Sequence, residues 1–451
     1  MRKDINYPMN NLQNVKVVKF GGSSLADANQ FKKVAAIVKA DKTRRYVIPS
    51  APGRRFKDDE KVTDMLYKCY ELAATGSDYT FWLNKIIDRY NSIISDLSLE
   101  LSLDDEFENI NKHLANAPHR DFIASRGEYL NGIILADYLG YKFIDAADVI
   151  IIGSDGQYDV ELTNNAIRAA LENCEYAVIP GFYGRRNDDG SIKTFSRGGS
   201  DITGSIVAGA VDAEIYENWT DVSGFLMADP NIVENPTVIS TVTYSELREL
   251  SYMGATVLHE EAVFPVRVKG IPINIRNTNR PEDNGTMIVL RTPIEQMCDG
   301  ITGIAGHKGF SVINIEKDLM NNQVGFGLKV LKVLADYGVS FEHLPSGIDT
   351  MGVVVSSSSL NLHRQEIIDD IRAAVNPDTI YIEDGLALVA VVGQGMVRNI
   401  GTASRIISSV ANAHVNIRMM DQGTRENNII ISVEEADFEK TVRVIYNEFS
   451  R

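Results

Sequence analysis

Cysteine is scarce in this chain: Cys69, Cys174 and Cys298 are scattered and odd in number. That excludes a disulfide framework and points to a reducing compartment, with the cytoplasm the expected location. The seven histidines never fall in a Cys/His metal pattern, so no zinc site is expected. No stretch approaches the roughly 18 consecutive apolar residues of a membrane span. The first residues, MRKDINYPMNN, lack the apolar segment of a secretory signal. Positive charge is also in deficit, 45 Lys and Arg against 61 Asp and Glu, for a formal net charge of -16. Such a surface repels nucleic acid, although a locally positive pocket can still take a small anion. What the chain does have is length, 451 residues, and 44% apolar content. Both suit two to four domains with substantial cores.

The run Val15-Lys16-Val17-Val18 empties into Lys19-Phe20-Gly21-Gly22-Ser23-Ser24. A β-rich stretch that ends in two glycines and two hydroxyls reads as a strand closed by a tight turn. Glycines there let backbone N–H groups approach an anion, with Lys19 at the lip. The spacing is not that of a P-loop, and a Gly-Gly turn alone is often only a turn. Phe31, Val34, Ala35 and Val38 recur at helical spacing, and Tyr46–Ser50 reads as the next strand. Strand, glycine turn, helix and strand open a parallel α/β sheet. The charged run Arg54–Lys61 reads as a loop, with Thr63 just after it at a helix start.

From about 79 to 138 the chain is mostly helical and contains Ser125-Arg126-Gly127-Glu128, a charged stretch whose plain reading is a solvated helix face. Strand-like runs return at 143–144, 149–152 and 176–180. A second glycine turn follows in Phe195-Ser196-Arg197-Gly198-Gly199-Ser200-Asp201, ahead of a small, apolar, helix-compatible run from Ile202 to Ala210. Ser200 or Asp201 is expected to cap that helix, whose N-terminus would face an anion. Arg197 brings a planar fork suited to a carboxylate or phosphate. The strand Glu214–Asp221 ends in a hydroxyl and a carboxylate, Thr220 and Asp221. Turn formation alone would also explain Asp201 and Asp221, but two such turns together favour a ligand at the carboxyl ends of the strands.

After about residue 293 the character changes and an internal repeat emerges. Gly325, Val339, Phe341, Gly347 and Val353 recur as Gly401, Val415, Ile417, Gly423 and Ile429, each offset by 76 residues. Each unit reads as a ferredoxin-like βαββαβ module. No His, Cys or Asp cluster recurs at matched positions, so the pair suggests ligand sensing or assembly. The plainer reading is that the units only dimerise.

With these motifs in order, the sequence resembles the aspartate kinases of the amino acid kinase superfamily over nearly its whole length. The resemblance rests on the Lys19–Ser24, Ser125–Glu128 and Arg197–Asp201 segments. Trp219-Thr220-Asp221-Val222, Asp229-Pro230, Gly254-Ala255 and Val257-Leu258-His259 also fit. It implies an α/β amino acid kinase fold, three-layer αβα with a mostly parallel sheet, over 1–293. Two ferredoxin-like ACT domains, over 300–377 and 378–451, would follow, with interleaving of the two in sequence as the open alternative. The implied reaction is transfer of the γ-phosphoryl of Mg-ATP to the side-chain carboxylate of L-aspartate, giving 4-phospho-L-aspartate. A carboxylate is already ionised near neutral pH, so a site of glycine turns, cations and helix N-termini without a catalytic triad suits the chemistry.

By this resemblance Lys19 contacts the transferring phosphoryl group and Asp201 holds Lys19. Gly21, Gly22 and Ser23 bring donors to the phosphates, and Thr220 and Asp221 lie near the nucleotide. Arg197 clamps an aspartate carboxylate, Glu128 holds the ammonium, and Ser50, Thr63 and Ser200 line the substrate site. ATP and Mg²⁺ are the implied cofactors, the ion held mostly by phosphate oxygens and water. An effector site is expected around Gly325, Phe326, Glu342, Ser346 and Asp349, where a carboxylate could pair with the side-chain ammonium of L-lysine, favouring it over L-threonine. Side-by-side ACT pairing implies a homodimer or a dimer of dimers.

The chain departs from common family residues at Asn231 (arginine), Thr256 (lysine), Glu260 (proline) and in Gly224–Pro230, which lacks a usual tyrosine. Asn231 and Thr256 sustain an alternative, a weakly catalytic or non-catalytic amino-acid sensor. Phosphorylation of glutamate or a uridine nucleotide is disfavoured by Ser125–Glu128 and the tandem repeats. No homoserine dehydrogenase domain is expected.

Overall fold

The structure is a computed structural model that describes residues 14–116, 118–196, 198–254, 258, 260–292 and 300–450, with the side chains of 260 and 261 left out. Arg197, Thr256 and Cys298 therefore lie outside the described residues, as does the side chain of Glu260. The chain divides into two compact units. The first comprises Met1–Phe225, Val238–Tyr244 and Val257–Thr292, and the second Leu226–Thr237, Ser245–Thr256 and Pro293–Arg451. Among the described residues no helix is long and apolar enough to cross a membrane.

The strands of the first unit are β1 (Lys16–Phe20), β2 (Arg44–Pro49), β3 (Lys142–Phe143), β4 (Ile151–Ile152), β5 (Ala177–Val178) and β6 (Tyr183–Arg186). They continue with β7 (Ile192–Thr194), β8 (Ile215–Thr220), β9 (Thr241–Thr243), β10 (Ile273–Asn277) and β11 (Thr286–Val289). Eight of them form one sheet in the order β3-β5-β2-β1-β8-β10-β11-β9. All neighbours are parallel except β10 and β11, which reverse the last two strands. Strands β4, β6 and β7 make a small separate sheet. The central strands β1 and β8 are buried on both faces, which is why Val15, Val17, Val18 and Phe20 are apolar without alternating, with Lys16 and Lys19 held in ion pairs.

The helices of this unit are α1 (Ala28–Lys39), α2 (Val62–Ala74), α3 (Thr80–Asp96), α4 (Asp104–Asn116), α5 (Arg120–Leu139), α6 (Ala146–Val149), α7 (Val160–Leu171) and α8 (Gly199–Ala210). Helices α1 to α5 share a core with Val18, Phe20 and Val47 of the sheet, centred on Phe31, Leu66, Ile86, Tyr90 and Leu130. Helix α5 overturns the expectation of a solvated face. Asp121, Ser125, Arg126, Gly127, Glu128 and Asn131 are all buried in it. Burial on every side removes the amphipathic stripe that would have marked the helix as inward-facing.

The second unit contains α9 (Tyr244–Tyr252, from Ser245 on); α10 (Glu260–Lys269) returns to the first. The second unit continues with β12 (Gly303–Glu316), α11 (Phe326–Asp336), β13 (Phe341–His343), β14 (Thr350–Ser356), α12 (Ser357–Leu360) and α13 (Arg364–Val375). Its remaining elements are β15 (Thr379–Val392), α14 (Thr402–Asn412), β16 (Met419–Gln422), β17 (Asn428–Glu434) and α15 (Phe438–Phe449). The six strands form one antiparallel sheet, β13-β14-β12-β15-β17-β16. The long strands β12 and β15 pair with each other from Gly303↔Val392 to Glu316↔Thr379, so both halves of the repeat share them. Two cores flank this pair. One joins Ile313, Val353 and Val355 to α11 and α13; the other joins Val389, Ile431 and Val433 to α14 and α15.

The repeat offset of 76 holds for β12 against β15 and for α11 against α14. It fails at the last strand. Val353 lies opposite Ile313 while Ile431 lies opposite Val389, so the offset there is 78. A two-residue slip keeps every side chain on its own face, because the side-chain period of a strand is two. Val353-Val354-Val355-Ser356 therefore matches Ile429-Ile430-Ile431-Ser432 in letters but not in position.

Candidate active site

Strand β1 delivers Lys19 to the carboxyl end of the sheet, where the side chain is buried and its Nζ sits 2.6 Å from Asp201 Oδ1. Asn218 of the adjacent β8 donates its Nδ2–H to the same oxygen at 2.8 Å. Asp201 is thus fixed by an amine and an amide at once. Sequence reading did not single out Asn218, whose signal was a polar residue inside an otherwise buried strand.

The turn after β1 is pinned on both sides. Gly21 N–H donates to Trp219 O at 2.9 Å, and residues Gly22–Leu25 form a short 3₁₀ turn. Gly53 N–H donates to Gly22 O at 2.8 Å, and a Cβ built on Gly53 would lie 2.6 Å from the Gly22 carbonyl carbon. Only glycine permits that approach. Ser23 is half-buried in the turn, while the buried Ser24 hydroxyl lies 2.8 Å from that of Thr278.

Asp201 and Ser200 do not cap α8, contrary to the expectation from sequence. Gly198 holds the N-cap position with φ +76 and no side-chain cap bond, and both residues lie inside the first turn. The left-handed conformation at the cap is one that glycine adopts without strain. Freed from capping, the Asp201 carboxylate can turn to Lys19. Ser200 is buried against Gly181, where a Cβ would come within 2.6 Å of its own. The expected Arg197 lies outside the described residues.

Glu128 is the second focus. Its carboxyl receives the backbone N–H of Ala51, yet its Oε2 has no hydrogen-bond partner. Burial pushes its pKa up to about 8, opposed by that N–H and by the charges of Lys19 and Arg126. One turn further along α5, the fully buried Asn131 donates to Ser50 O at 2.7 Å and leaves its own Oδ1 without a partner. Arg126 does not join them: its guanidinium lies over the rings of Phe122, Tyr129 and Tyr183 at 4.6, 4.2 and 5.4 Å. Ser50 N–H donates to Phe20 O at 3.0 Å, so the exit of β2 runs beside the exit of β1. Thr63 is half-buried in the first turn of α2, next to Val62, whose N–H donates to Pro52 O at 3.2 Å.

Thr220 and Asp221 stand at the end of β8, their side chains joined at 3.1 Å, and Asn277 donates to Asp221 O at 3.3 Å. Lys19, Gly21, Gly22, Ser23, Asp201, Thr220 and Asp221 thus cluster at the ends of two adjacent strands and the start of α8. Ser50 and Glu128 flank them through the Ala51–Gly53 turn. Among the described residues no three His, Cys, Asp or Glu side chains converge as a cation site.

The predicted effector residues in the second unit are more dispersed. Gly325 is the left-handed N-cap of α11, and the Phe326 side chain is buried in the core. Glu342 accepts the Tyr252 hydroxyl, and Asp349 accepts the Leu319 N–H at 2.8 Å. Ser346 lines a cavity of about 430 Å³ with Glu316, Tyr381, Arg418 and Ser432. Asn231, one of the unusual positions, closes a turn on Asp229 through its N–H and Nδ2 at 2.8 and 2.9 Å.

Comparison with known proteins gives a consistent picture. The model of the amino acid kinase family matches residues 14–277, and a model of the ACT domain matches 389–449. The chain is 39% identical to aspartokinase 3 of Bacillus subtilis, over 96% of this chain and 98% of that protein. The solved aspartate kinase of Clostridium acetobutylicum is 51% identical, with a TM-score of 0.89 over 97% of this chain and all of the other. Escherichia coli aspartokinase III, solved with aspartate and ADP, shares the fold at a TM-score of 0.72 and 23% identity over 97% of this chain.

Proposed function

This chain belongs to the amino acid kinase family and is an aspartate kinase with C-terminal ACT sequence, an enzyme that phosphorylates aspartate with ATP; on that premise we propose which residues carry the reaction. Glu128 carries the reading. A buried carboxyl with one oxygen unpartnered and its ionisation opposed by burial is a receptor for a cation. The ammonium of L-aspartate is the cation that this reaction supplies.

The side-chain carboxylate of aspartate is the nucleophile and needs no general base. The work left to the protein is alignment and charge neutralisation. Lys19, oriented by Asp201, neutralises charge developing on the transferring phosphoryl group. Backbone N–H groups at Gly22 and Ser23, with the first turn of α8, receive phosphate oxygens, while Gly21, whose own N–H is taken by Trp219 O, fixes the turn that presents them. Thr220 and Asp221 border the nucleotide. Ser50, Thr63, Ser200 and Arg197 line the aspartate site, Arg197 binding a carboxylate. Mg²⁺, when it arrives with ATP, supplies neutralisation across the phosphates, held mostly by their oxygens and by water. The product is 4-phospho-L-aspartate.

The catalytic domain is assigned to 1–293 and the regulatory repeats to 300–377 and 378–451, interleaved through the long strands β12 and β15. Those repeats form an amino-acid effector module of a homodimer or dimer of dimers, in a cytoplasmic enzyme. L-lysine is favoured as effector over L-threonine, because Glu342 and Asp349 offer carboxylates to a side-chain ammonium; at Glu342 the ligand would displace the Tyr252 hydroxyl. A hydroxylamine-trapping assay tests both parts. Acyl hydroxamate should form only with L-aspartate and Mg-ATP, and L-lysine should suppress it more than L-threonine does. Hydroxamate formed equally from L-glutamate would overturn the substrate assignment, and indifference to both amino acids would remove the effector.

A further inference from the structure

The charged run Arg54–Lys61 is anchored by a residue of another helix. Arg89 of α3, with only 5% of its side chain exposed, donates from Nη2 to both oxygens of Asp59 at 2.9 and 2.7 Å. Its Nη1 donates to the carbonyls of Gly53 at 3.2 Å and Ala26 at 3.4 Å. Asp59 also accepts the backbone N–H of Arg55 at 3.0 Å and two bonds from its guanidinium at 2.8 and 2.9 Å. The Arg55 hydrogen bonds hold the Asp59 carboxyl well below the usual carboxylate range, so it stays ionised at any working pH.

The arch gripped at Gly53 and Asp59 is continuous with the Ser50–Gly53 turn, which carries the contacts to the Glu128 side of the site. Gly53 N–H meets Gly22 O, Ala51 N–H meets the Glu128 carboxyl, and Ser50 O meets Asn131. A guanidinium that bonds the Gly53 carbonyl while its other nitrogen grips Asp59 fixes both ends of one short arch. Here one nitrogen takes both carboxylate oxygens and the other takes the carbonyls; lysine, with a single nitrogen, cannot reach both points together. The arch is further restrained at Pro52, whose carbonyl accepts the N–H of Val62 at 3.2 Å.

We propose that Arg89, acting through Asp59 and the Gly53 carbonyl, is a positioning residue for the aspartate-binding half of the site. It sets the Ser50–Gly53 turn so that Ala51 meets Glu128 and Gly53 abuts the phosphate turn. It touches neither substrate. The inference rests on the assignment of Glu128 to the substrate ammonium.

The test is steady-state kinetics of the full chain, with hydroxylamine trapping, for Arg89→Lys, Asp59→Asn, Arg55→Ala and Glu128→Gln beside the wild type. Arg89→Lys and Asp59→Asn should each raise KM for aspartate about tenfold or more, the cost of sub-ångström misplacement of a binding group. KM for ATP should stay within about twofold, because the phosphate turn is also held from its other side by the Gly21 N–H bond to Trp219 O. Arg55→Ala, which removes no bond to Gly53, should change KM for aspartate less than about threefold. A merely structural Arg89 would give a lower melting temperature and less active protein with both KM values unchanged, and that result overturns the proposal. Equal rises in the two KM values overturn it as well. If Arg89→Lys does not fold, Asp59→Asn carries the test, since it leaves the guanidinium in place. Glu128→Gln separates the two failures: an unchanged KM for aspartate in that variant sinks the site assignment and this proposal together, whereas a raised one beside normal Asp59→Asn and Arg89→Lys kinetics sinks the proposal alone.

Discussion

Glu128 and Lys19 sit close together with opposite needs. Glu128 is buried, with its pKa raised from 4.5 to about 8 and one oxygen unpartnered, while Lys19 is already held by Asp201. For a carboxyl raised in this way the folded state binds the proton more tightly than the unfolded one. Stability of the substrate-free protein should therefore fall as pH rises from about 4.5 toward about 8. Thermal melts across that interval, with and without aspartate, check this; the stabilisation by aspartate should grow with pH. Lys19→Met should leave KM for aspartate nearly unchanged and lower kcat by about 10²–10³, the usual scale for losing one group that stabilises transition-state charge. Lys19 was legible from sequence because it follows an apolar strand and precedes two glycines. Asn131 and Arg89 were not, since a polar residue inside a helix carries no mark of the direction it faces.

At the scale of elements, the two glycine turns fix the site by contact between backbones. Gly53→Ala would place a Cβ 2.6 Å from Gly22 C and 2.8 Å from Gly22 O, which only a backbone shift can relieve. We expect a loss of about 1–3 kcal/mol in stability together with most of the activity, measured by denaturant titration and turnover. Beneath the turns, Arg44 and Glu217 form a buried pair at 2.8 Å that also receives the Trp219 indole N–H at 2.8 Å. Arg44→Met leaves that carboxylate only the more distant Lys16, 3.9 Å from its Oε1, and should cost about 3 kcal/mol in the same titration. Strand–turn–helix order was readable because apolar runs and glycines report it directly. The depth of α5 was not, because its charges point inward to aromatic rings and to the site. The repeat was visible in letters, yet its last strand slipped by two residues, a shift that strand periodicity cannot reveal.

For the whole molecule, the kinase assignment joins a parallel α/β unit to an antiparallel unit whose long strands β12 and β15 serve both halves of the repeat. Val389 pairs with Gly306 on one side and Ile431 on the other, so a proline there removes ladder bonds in the centre of the sheet. Val389→Pro should make α11 and α14 exchange amide hydrogens together rather than one repeat at a time. Exchange confined to α14 would show that the halves are independent. On the proposed reading the site phosphorylates aspartate and Glu128 receives the substrate ammonium. The most direct test of that role is the pH dependence of kcat/KM for aspartate in the wild type and in Glu128→Gln. The wild type should show an acid limb that rises toward about 8, the pKa of the free carboxyl. Glu128→Gln should show no such limb, and its kcat/KM should be lower by about 3 kcal/mol, roughly a hundredfold. The same limb persisting in the variant, at undiminished kcat/KM, would remove Glu128 from that role.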